Sequence, residues 1–252
     1  MTTQEALFKY ALRLGDNSLI LSQRLAEWTS KGPFLEEDLA LTNIALDIMG
    51  QANSLLEYAA RVEGKGRTAD DLAFFRSERE FYNTLLVEQP NGDYAQTLVR
   101  QAMTDQFDIL FYTALTKSKD ETLAAIAAKS VKEITYHVRH SFSWVDRFGN
   151  GTEESHARAQ HAVEELWRFS DELFEMNEID AVLLKEGIAV DLAALKKDWK
   201  NTLLTLFERA NLHVPEAAFM QTGSRKGVHT EHLGYILAEM QYLPRMYPTA
   251  KW

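Results

Sequence analysis

Three polar residues interrupt the apolar stripes of the predicted helices, a fourth lies beside one, and their types could do chemistry. The three are Ser18, Gln51 and Asp105, and the fourth is His137, beside the stripe of Leu123, Ala127, Val131, Ile134, Val138 and Val145. A carboxylate and an imidazole inside a helical bundle are ligand types for a di-iron centre, which takes Glu from two helices and Glu-x-x-His from each of two others. The matching windows read Ile48-x-x-Gln51 and Ile134-x-x-His137. Isoleucine cannot coordinate a metal, so the sequence predicts too few donors for two cations.

The alternative is a satisfied hydrogen-bond network in the core. A buried polar group needs a partner, and Ser, Gln, Asp and His side chains facing one another can supply each other's donors and acceptors. In this interpretation Asp105 and His137 form a short charge-assisted contact.

The elements that carry these residues are long amphipathic helices. Apolar residues recur at alternating spacings of three and four, as in Leu7, Ala11 and Leu14, and no alternating strand pattern competes with them. Helices are predicted over about 7–28, 35–62, 69–88, 95–118, 120–148, 155–178, 191–211 and 229–246. Two long helix pairs, 7–28 with 35–62 and 95–118 with 120–148, predict a single all-α, ferritin-like helical domain over 1–252, with a four-helix core plus additional helices.

Composition excludes several classes of function. The chain has 27 Lys and Arg against 37 Asp and Glu, a net charge of −10, and no basic stripe, which disfavours nucleic acid as a partner. It has no Cys, which excludes disulfides, thiolate metal sites and a cysteine nucleophile. Since no apolar run reaches membrane-spanning length and the first residues do not form a secretion signal, we expect a cytoplasmic protein without a membrane partner.

Two local motifs invite a ligand. His229-Thr230-Glu231-His232 fits neither usual zinc motif, and we expect helix N-terminal structure or an interface there. Arg225 and Lys226 lie between Gly223 and Gly227 and could receive a phosphate, for instance from CoA, although such a segment is more often a mobile or interface loop.

Longer stretches carry a family resemblance. They are LRLGDNSLILSQRLAEW, LLVEQPNGDYAQTLVRQ, YHVRHSFSWVDRFGNGT and KGVHTEHLGYILAEMQYLPRMYP. On these stretches the whole chain resembles the ferritin-like C subunits of bacterial phenylacetyl-CoA epoxidases (ring 1,2-epoxidases), which accompany a catalytic A subunit. The C-terminal stretch is the most specific of them.

The resemblance also places the ligand positions of the catalytic sister protein on this chain. Its Asp-Glu-x-Gly-His motif resembles Asp47-Ile48-Met49-Gly50-Gln51, and its Lys-Glu-Glu-x-x-His resembles Lys132-Glu133-Ile134-Thr135-Tyr136-His137. The six positions then read Ser18 (or, with a gap, Asp16), Ile48, Gln51, Asp105, Ile134 and His137. Only Asp105 and His137 keep a ligand of the family's type, which implies a degenerate di-iron site without metal.

What the resemblance implies is a non-catalytic structural subunit with no cofactor of its own. It would pair with the catalytic A subunit, which holds the di-iron centre, and stabilise it. It would also assemble with the small B subunit, together with a reductase that uses NADPH, FAD and an iron–sulfur cluster. The complex would activate O2 and epoxidise the CoA-activated aromatic ring during aerobic phenylacetate breakdown.

Two other hypotheses remain open. A free-standing ferritin-like oxidase would need other carboxylates turned inward, with Asp47, Glu133 and Asp108 as candidates, although Asp47 and Glu133 lie about 100° from the apolar stripe. A module that holds the CoA moiety for its partner would use Arg225 and Lys226.

Overall fold

The computed structural model describes residues 1–216 and 219–250. Within these ranges the chain forms ten α-helices and no strand. They are α1 (Thr3–Ala26), α2 (Leu35–Glu63), α3 (Ala69–Phe74), α4 (Leu85–Glu88), α5 (Tyr94–Leu115), α6 (Glu121–Gly149), α7 (Glu153–Leu166), α8 (Glu178–Lys185), α9 (Leu192–Arg209) and α10 (Glu231–Met246). Short 3-10 turns cover Glu78–Glu80, Trp167–Phe169, Asp171–Phe174 and Ser224–Lys226. The prediction of an all-α fold is confirmed.

The described residues fall into two compact units. Unit 1 contains residues 1–89 and 223–252, and unit 2 contains residues 90–222. The prediction of one domain over the whole chain stays a prediction. In the described part of the chain, no helix combines the length and the apolarity needed to cross a membrane.

Unit 1 is built on the antiparallel pair α1 and α2. The side chain of Gln4 bonds to the carbonyl of Val62 at the open end of the pair. Farther along, Gly15 lets the two backbones approach closely, because a Cβ there would lie 2.7 Å from the side chain of Leu56. Helix α2 ends at Glu63, and its C-cap is Gly64, whose φ of +69° is the left-handed conformation that glycine favours.

Unit 2 is built on the antiparallel pair α5 and α6, against which α7 and α9 pack. Trp199 of α9 donates from its indole nitrogen to the carbonyl of Met103, at 2.9 Å. Its ring stacks on Trp167 with centroids 5.6 Å apart, so the Trp199 side chain is both packed and hydrogen-bonded inside the core. The bond from Trp199 to Met103 therefore fixes which face of α5 packs against α9.

The four long helices were predicted to within a few residues, and two shorter predictions were wrong. The continuous helix over 69–88 is broken into α3, a 3-10 turn and α4. Thr68 and Ser77 start new turns with capping boxes to Asp71 and Glu80, and the Arg76 side chain bonds to backbone carbonyls on both sides of the break. The helix predicted over 155–178 ends at Leu166 and continues as 3-10 turns to Phe174. Helix α8 was not predicted.

Candidate functional site

Two of the predicted site residues meet inside unit 1. The Gln51 side-chain amide donates to the Ser18 hydroxyl at 3.1 Å, and that hydroxyl donates to the Leu14 carbonyl at 3.3 Å. Ser18 and Gln51 are 5% and 7% exposed, and Ile48, one turn earlier on α2, is 5% exposed. Both of these hydrogen bonds lie within unit 1, as a core network requires.

Asp105 lies in unit 2 with its carboxylate fully enclosed. One oxygen accepts from the Gln101 amide at 2.6 Å and the other from the Ser141 hydroxyl at 2.7 Å. Burial raises the pKa of Asp105 to about 7, and the two neutral donors only partly oppose this effect. Burial also raises the pKa of Asp108 well above its usual value, and the neighbouring charge of Asp105 raises it further.

The buried stripe of α6 carries Ile134 and His137 one turn apart. Both are 2% exposed, and Ser141 follows on the same stripe. His137 lies within the stripe rather than beside it, because the half-buried Val131 and Val138 mark its edge. A direct contact between Asp105 and His137 stays a prediction.

Ser141 and Gln101 are the partners of Asp105 that reasoning from the sequence missed. Each stands four residues from a residue already singled out, since Ser141 follows His137 and Gln101 precedes Asp105. Residues four apart share a helix face, so this spacing was the available signal.

The donor set in these positions does not fit a carboxylate-bridged di-iron centre. Ile48 and Ile134 offer no lone pair, and Ser18 and Gln51 are bonded to each other. One carboxylate, at Asp105, and one imidazole, at His137, remain, which is too few donors for two cations. In residues 1–216 and 219–250, no group of three or more His, Asp or Glu side chains is arranged to hold a metal ion. Of the alternative carboxylates, Asp47 is half-buried, and Glu133 lies 3.7 Å from the ammonium of Lys129.

Asp16, the alternative to Ser18 in the ligand alignment, takes part in a different interaction. Its buried carboxylate forms an ion pair with the Arg76 guanidinium and accepts from the backbone N–H of Tyr82 at 3.0 Å. Arg76 also lies over the Phe81 ring, 4.0 Å from its centroid. Burial raises the pKa of Asp16, while Arg76 acts in the opposite direction. This pair anchors the connection between α3 and α4 to α1.

Glu88 binds the first two residues of the His229-Thr230-Glu231-His232 motif. The Glu88 carboxylate contacts His229 Nδ1 at 2.8 Å, and it accepts from the backbone N–H and hydroxyl of Thr230 at 2.7 and 2.8 Å. His229 Nε2 lies 2.8 Å from the Phe81 carbonyl. Thr230 is the N-cap of α10, in agreement with the prediction of helix N-terminal structure.

The predicted phosphate loop forms a 3-10 turn between two glycines with positive φ. Arg225 is half-buried and Lys226 is exposed. Gly227 is held at φ +68°, and a Cβ there would lie 2.2 Å from the Arg79 carbonyl. Phosphate binding by Arg225 and Lys226 stays a prediction.

Similarity to known proteins extends over the whole chain. The family model described as phenylacetic acid catabolic protein matches residues 1–252. The chain is 51% identical over 246 residues to the C subunit of the 1,2-phenylacetyl-CoA epoxidase of Escherichia coli (strain K12), covering 98% of this chain and 99% of that protein.

Proposed function

Because the chain belongs to the phenylacetic acid catabolic protein family, we propose that it is a non-catalytic subunit of a phenylacetyl-CoA epoxidase in phenylacetate breakdown. It pairs with the di-iron catalytic subunit, which it stabilises, and the complex receives electrons from a reductase. The observation that carries this assignment is the match to the C subunit of the Escherichia coli epoxidase over nearly the full length of both chains.

The non-catalytic role is supported by the chemistry of the ligand positions. Two apolar side chains, Ile48 and Ile134, stand where the catalytic sister needs carboxylates. Both are buried among core residues, and the Ser18 and Gln51 side chains are bonded to each other. A metal in these positions would leave its charge largely uncompensated, which a low-dielectric core strongly disfavours.

In this proposal the chain provides a rigid surface that binds the catalytic subunit. Four helices of 22 to 29 residues give each unit a long rigid pair, α1 with α2 and α5 with α6. Buried polar side chains of each pair bond across it, as Gln51 does to Ser18 and Asp105 to Ser141, which favours a single well-ordered packing. The reacting atoms and the cofactors belong to the partner proteins.

Metal content and turnover test the proposal together. We would measure iron and manganese per chain, with metal supplied, in the lone chain and in the pair with the catalytic subunit, each with and without Asp105→Asn. The lone chain is expected to hold no stoichiometric metal and to give no turnover with reductase and NADPH. The pair is expected to carry iron and to epoxidise the aromatic ring of phenylacetyl-CoA, with or without Asp105→Asn.

About two ions bound to the lone chain, and lost in Asp105→Asn, would overturn the non-catalytic assignment. Failure of the two chains to copurify from a strain that expresses both would overturn the pairing. These outcomes are independent, because a metal-binding chain could still pair.

A further inference from the structure

The outer face of α6 carries a row of cationic and aromatic side chains. We define the outer strip of α6 as Lys132, Tyr136, Arg139, Ser143 and Arg147. With 3.6 residues per turn these positions fall within about 80° of one another, on the side opposite Ile134 and Ser141. The strip spans 15 residues of rise, or about 22 Å, the length of a small interface.

Aromatic rings hold both arginines of the strip. The Arg139 guanidinium carbon lies 5.5 Å from the centroid of the Tyr136 ring, and that of Arg147 lies 5.1 Å from the Trp144 ring. Trp144 is itself fixed from the side, since Tyr94 of α5 packs edge-on against it with centroids 5.4 Å apart. An arginine already placed over a ring loses less conformational freedom when it pairs with a carboxylate.

The cations of the strip lack acidic partners within the described part of the chain. Lys129 and Arg209, at its margins, are paired with Glu133 and Asp146, whereas Lys132, Arg139 and Arg147 form no ion pair with any carboxylate in residues 1–216 and 219–250. Tyr136 is 40% exposed, so its ring remains open to solvent between these charges. No basic stripe is predicted from the sequence of this chain of net charge −10, so this short row on α6 is a local exception to that prediction.

We propose that the outer strip of α6 is a docking surface for a partner subunit that presents a row of carboxylates. Three unpaired cations on one face are complementary to an acidic face, and Arg, Tyr and Trp are enriched at the centres of protein interfaces. A nucleic acid fits less well, because the net charge of −10 repels a phosphate backbone beyond the strip. The inference rests on the proposed function, since it assigns a surface to the pairing.

The experiment measures the dissociation constant of the pair formed with the catalytic subunit, from about 50 to 300 mM salt. Arg139→Glu with Arg147→Glu is expected to weaken binding at least about 30-fold at low salt. The matched control is Lys197→Glu with Lys200→Glu, the same change in charge on exposed positions of α9, which is expected to stay within about threefold of the unmodified chain. Circular dichroism before and after heating checks that each variant is folded.

Two further measurements keep the test independent of the charge reversal. Arg139→Lys with Arg147→Lys keeps the charge but removes the planar contact with the rings, so we expect an intermediate loss of about fivefold. Hydroxyl-radical labelling of the unmodified chain should decrease at Tyr136 when the partner is added, and stay unchanged at Tyr235, which lies on another helix and is 68% exposed.

The outcomes separate this inference from the proposed function. Suppose the pair forms, the variant Arg139→Glu with Arg147→Glu binds as tightly as the unmodified chain, and Tyr136 labelling does not decrease. The proposed surface is then wrong and the pairing stands. If both reversals weaken binding equally, only net charge matters and the strip is not the docking surface. Retention on heparin that depends on Arg139 and Arg147, without a paired protein, would assign the strip to a polyanion and overturn the inference.

Discussion

Both hydrogen bonds to the Asp105 carboxylate come from uncharged donors. Gln101 and Ser141 bond to its two oxygens, and both are neutral. Neutral donors stabilise a carboxylate less than a cation does, so burial dominates and the pKa rises from 3.8 to about 7. The folded chain therefore binds this proton more tightly than the unfolded chain does.

The first prediction concerns the pH dependence of stability. Because the folded pKa of Asp105 is raised, its contribution to the free energy of unfolding is most favourable below about pH 4, falls as the pH rises toward 7, and is then constant. Three pH units at about 1.4 kcal/mol each give an upper bound of about 4 kcal/mol. In urea unfolding from pH 4 to 8, the stability of the unmodified chain should fall relative to Asp105→Asn.

One control variant accompanies this measurement. Asp198→Asn removes an exposed carboxylate of α9 and should change stability by less than about 0.5 kcal/mol at each pH. A stability difference between the unmodified chain and Asp105→Asn that is independent of pH would contradict the prediction.

The second prediction concerns the Asp16–Arg76 ion pair. Removing one partner leaves the other as an uncompensated buried charge, so Arg76→Met should lower the free energy of unfolding by about 3 to 5 kcal/mol. Asp16→Asn with Arg76→Met should lose clearly less than the sum of the two single changes, because no lone charge remains.

A double-mutant cycle by urea denaturation measures this coupling. The exposed pair Arg158 and Glu154, truncated to alanine in the same way, provides the control and should show a coupling below about 1 kcal/mol. Additive losses at Asp16 and Arg76 would mean that the buried pair contributes no more than a surface pair.

At the scale of elements, α10 is held at its start by a carboxylate from a distant part of the chain. Glu88 ends α4, and it bonds to both residues that precede α10, His229 and Thr230. Arg24 of α1 donates to the backbone carbonyl of the same Glu88, at 2.9 and 3.1 Å. One residue thus connects three helices of unit 1.

The third prediction follows from this connection. In Glu88→Ala, His229 and the N-cap of α10 lose their acceptor, and amide exchange over 229–240 should become at least about 30-fold faster than in the unmodified chain. Gly227→Ala should act in the same direction, because its backbone has φ +68° and a Cβ would meet the Arg79 carbonyl.

Glu231→Ala is the control for these two variants. It removes an exposed carboxylate from the first turn of α10, and it should change the exchange of the segment only slightly. If Glu88→Ala leaves exchange over 229–240 unchanged, packing of α10 alone holds the segment.

At the scale of the whole molecule, two properties act in opposite directions on self-association. The net charge makes chains repel one another, and exposed apolar side chains favour their association. A charge of −10 favours dispersed chains, yet α10 and the residue that follows it, Tyr247, expose large apolar side chains. They are Tyr235, Tyr242, Leu243, Met246 and Tyr247, each at least 50% exposed. A patch of this kind on one helix commonly marks an interaction or aggregation surface.

The fourth prediction is that the isolated chain self-associates through this patch. Light scattering after size-exclusion chromatography should show an apparent mass that rises with concentration and with salt, since salt screens the charge repulsion. Tyr242→Ser with Met246→Ser should reduce the association, whereas Met176→Ser, a 39% exposed residue of unit 2, should not. A monomer at all concentrations would contradict the prediction.

The sequence alone determined the long helices and the family. Apolar periodicity is a local property, so it located α1, α2, α5 and α6 to within a few residues, and the resemblance to the C subunits is confirmed by the match over the whole chain. The same periodicity singled out Ser18, Gln51, Asp105 and His137, all of which are buried. It did not locate the breaks in 69–88, because those depend on where the Arg76 side chain finds a partner.

Only the tertiary structure decided which polar groups meet. Gln51 bonds to Ser18 across 33 residues, Asp105 to Ser141 across 36, Arg76 to Asp16 across 60 and Glu88 to His229 across 141. Spacing along a helix reports only which side of that helix a residue occupies. A hydrogen bond between two helices also depends on their register and separation, which are set by the packing of all the apolar side chains between them.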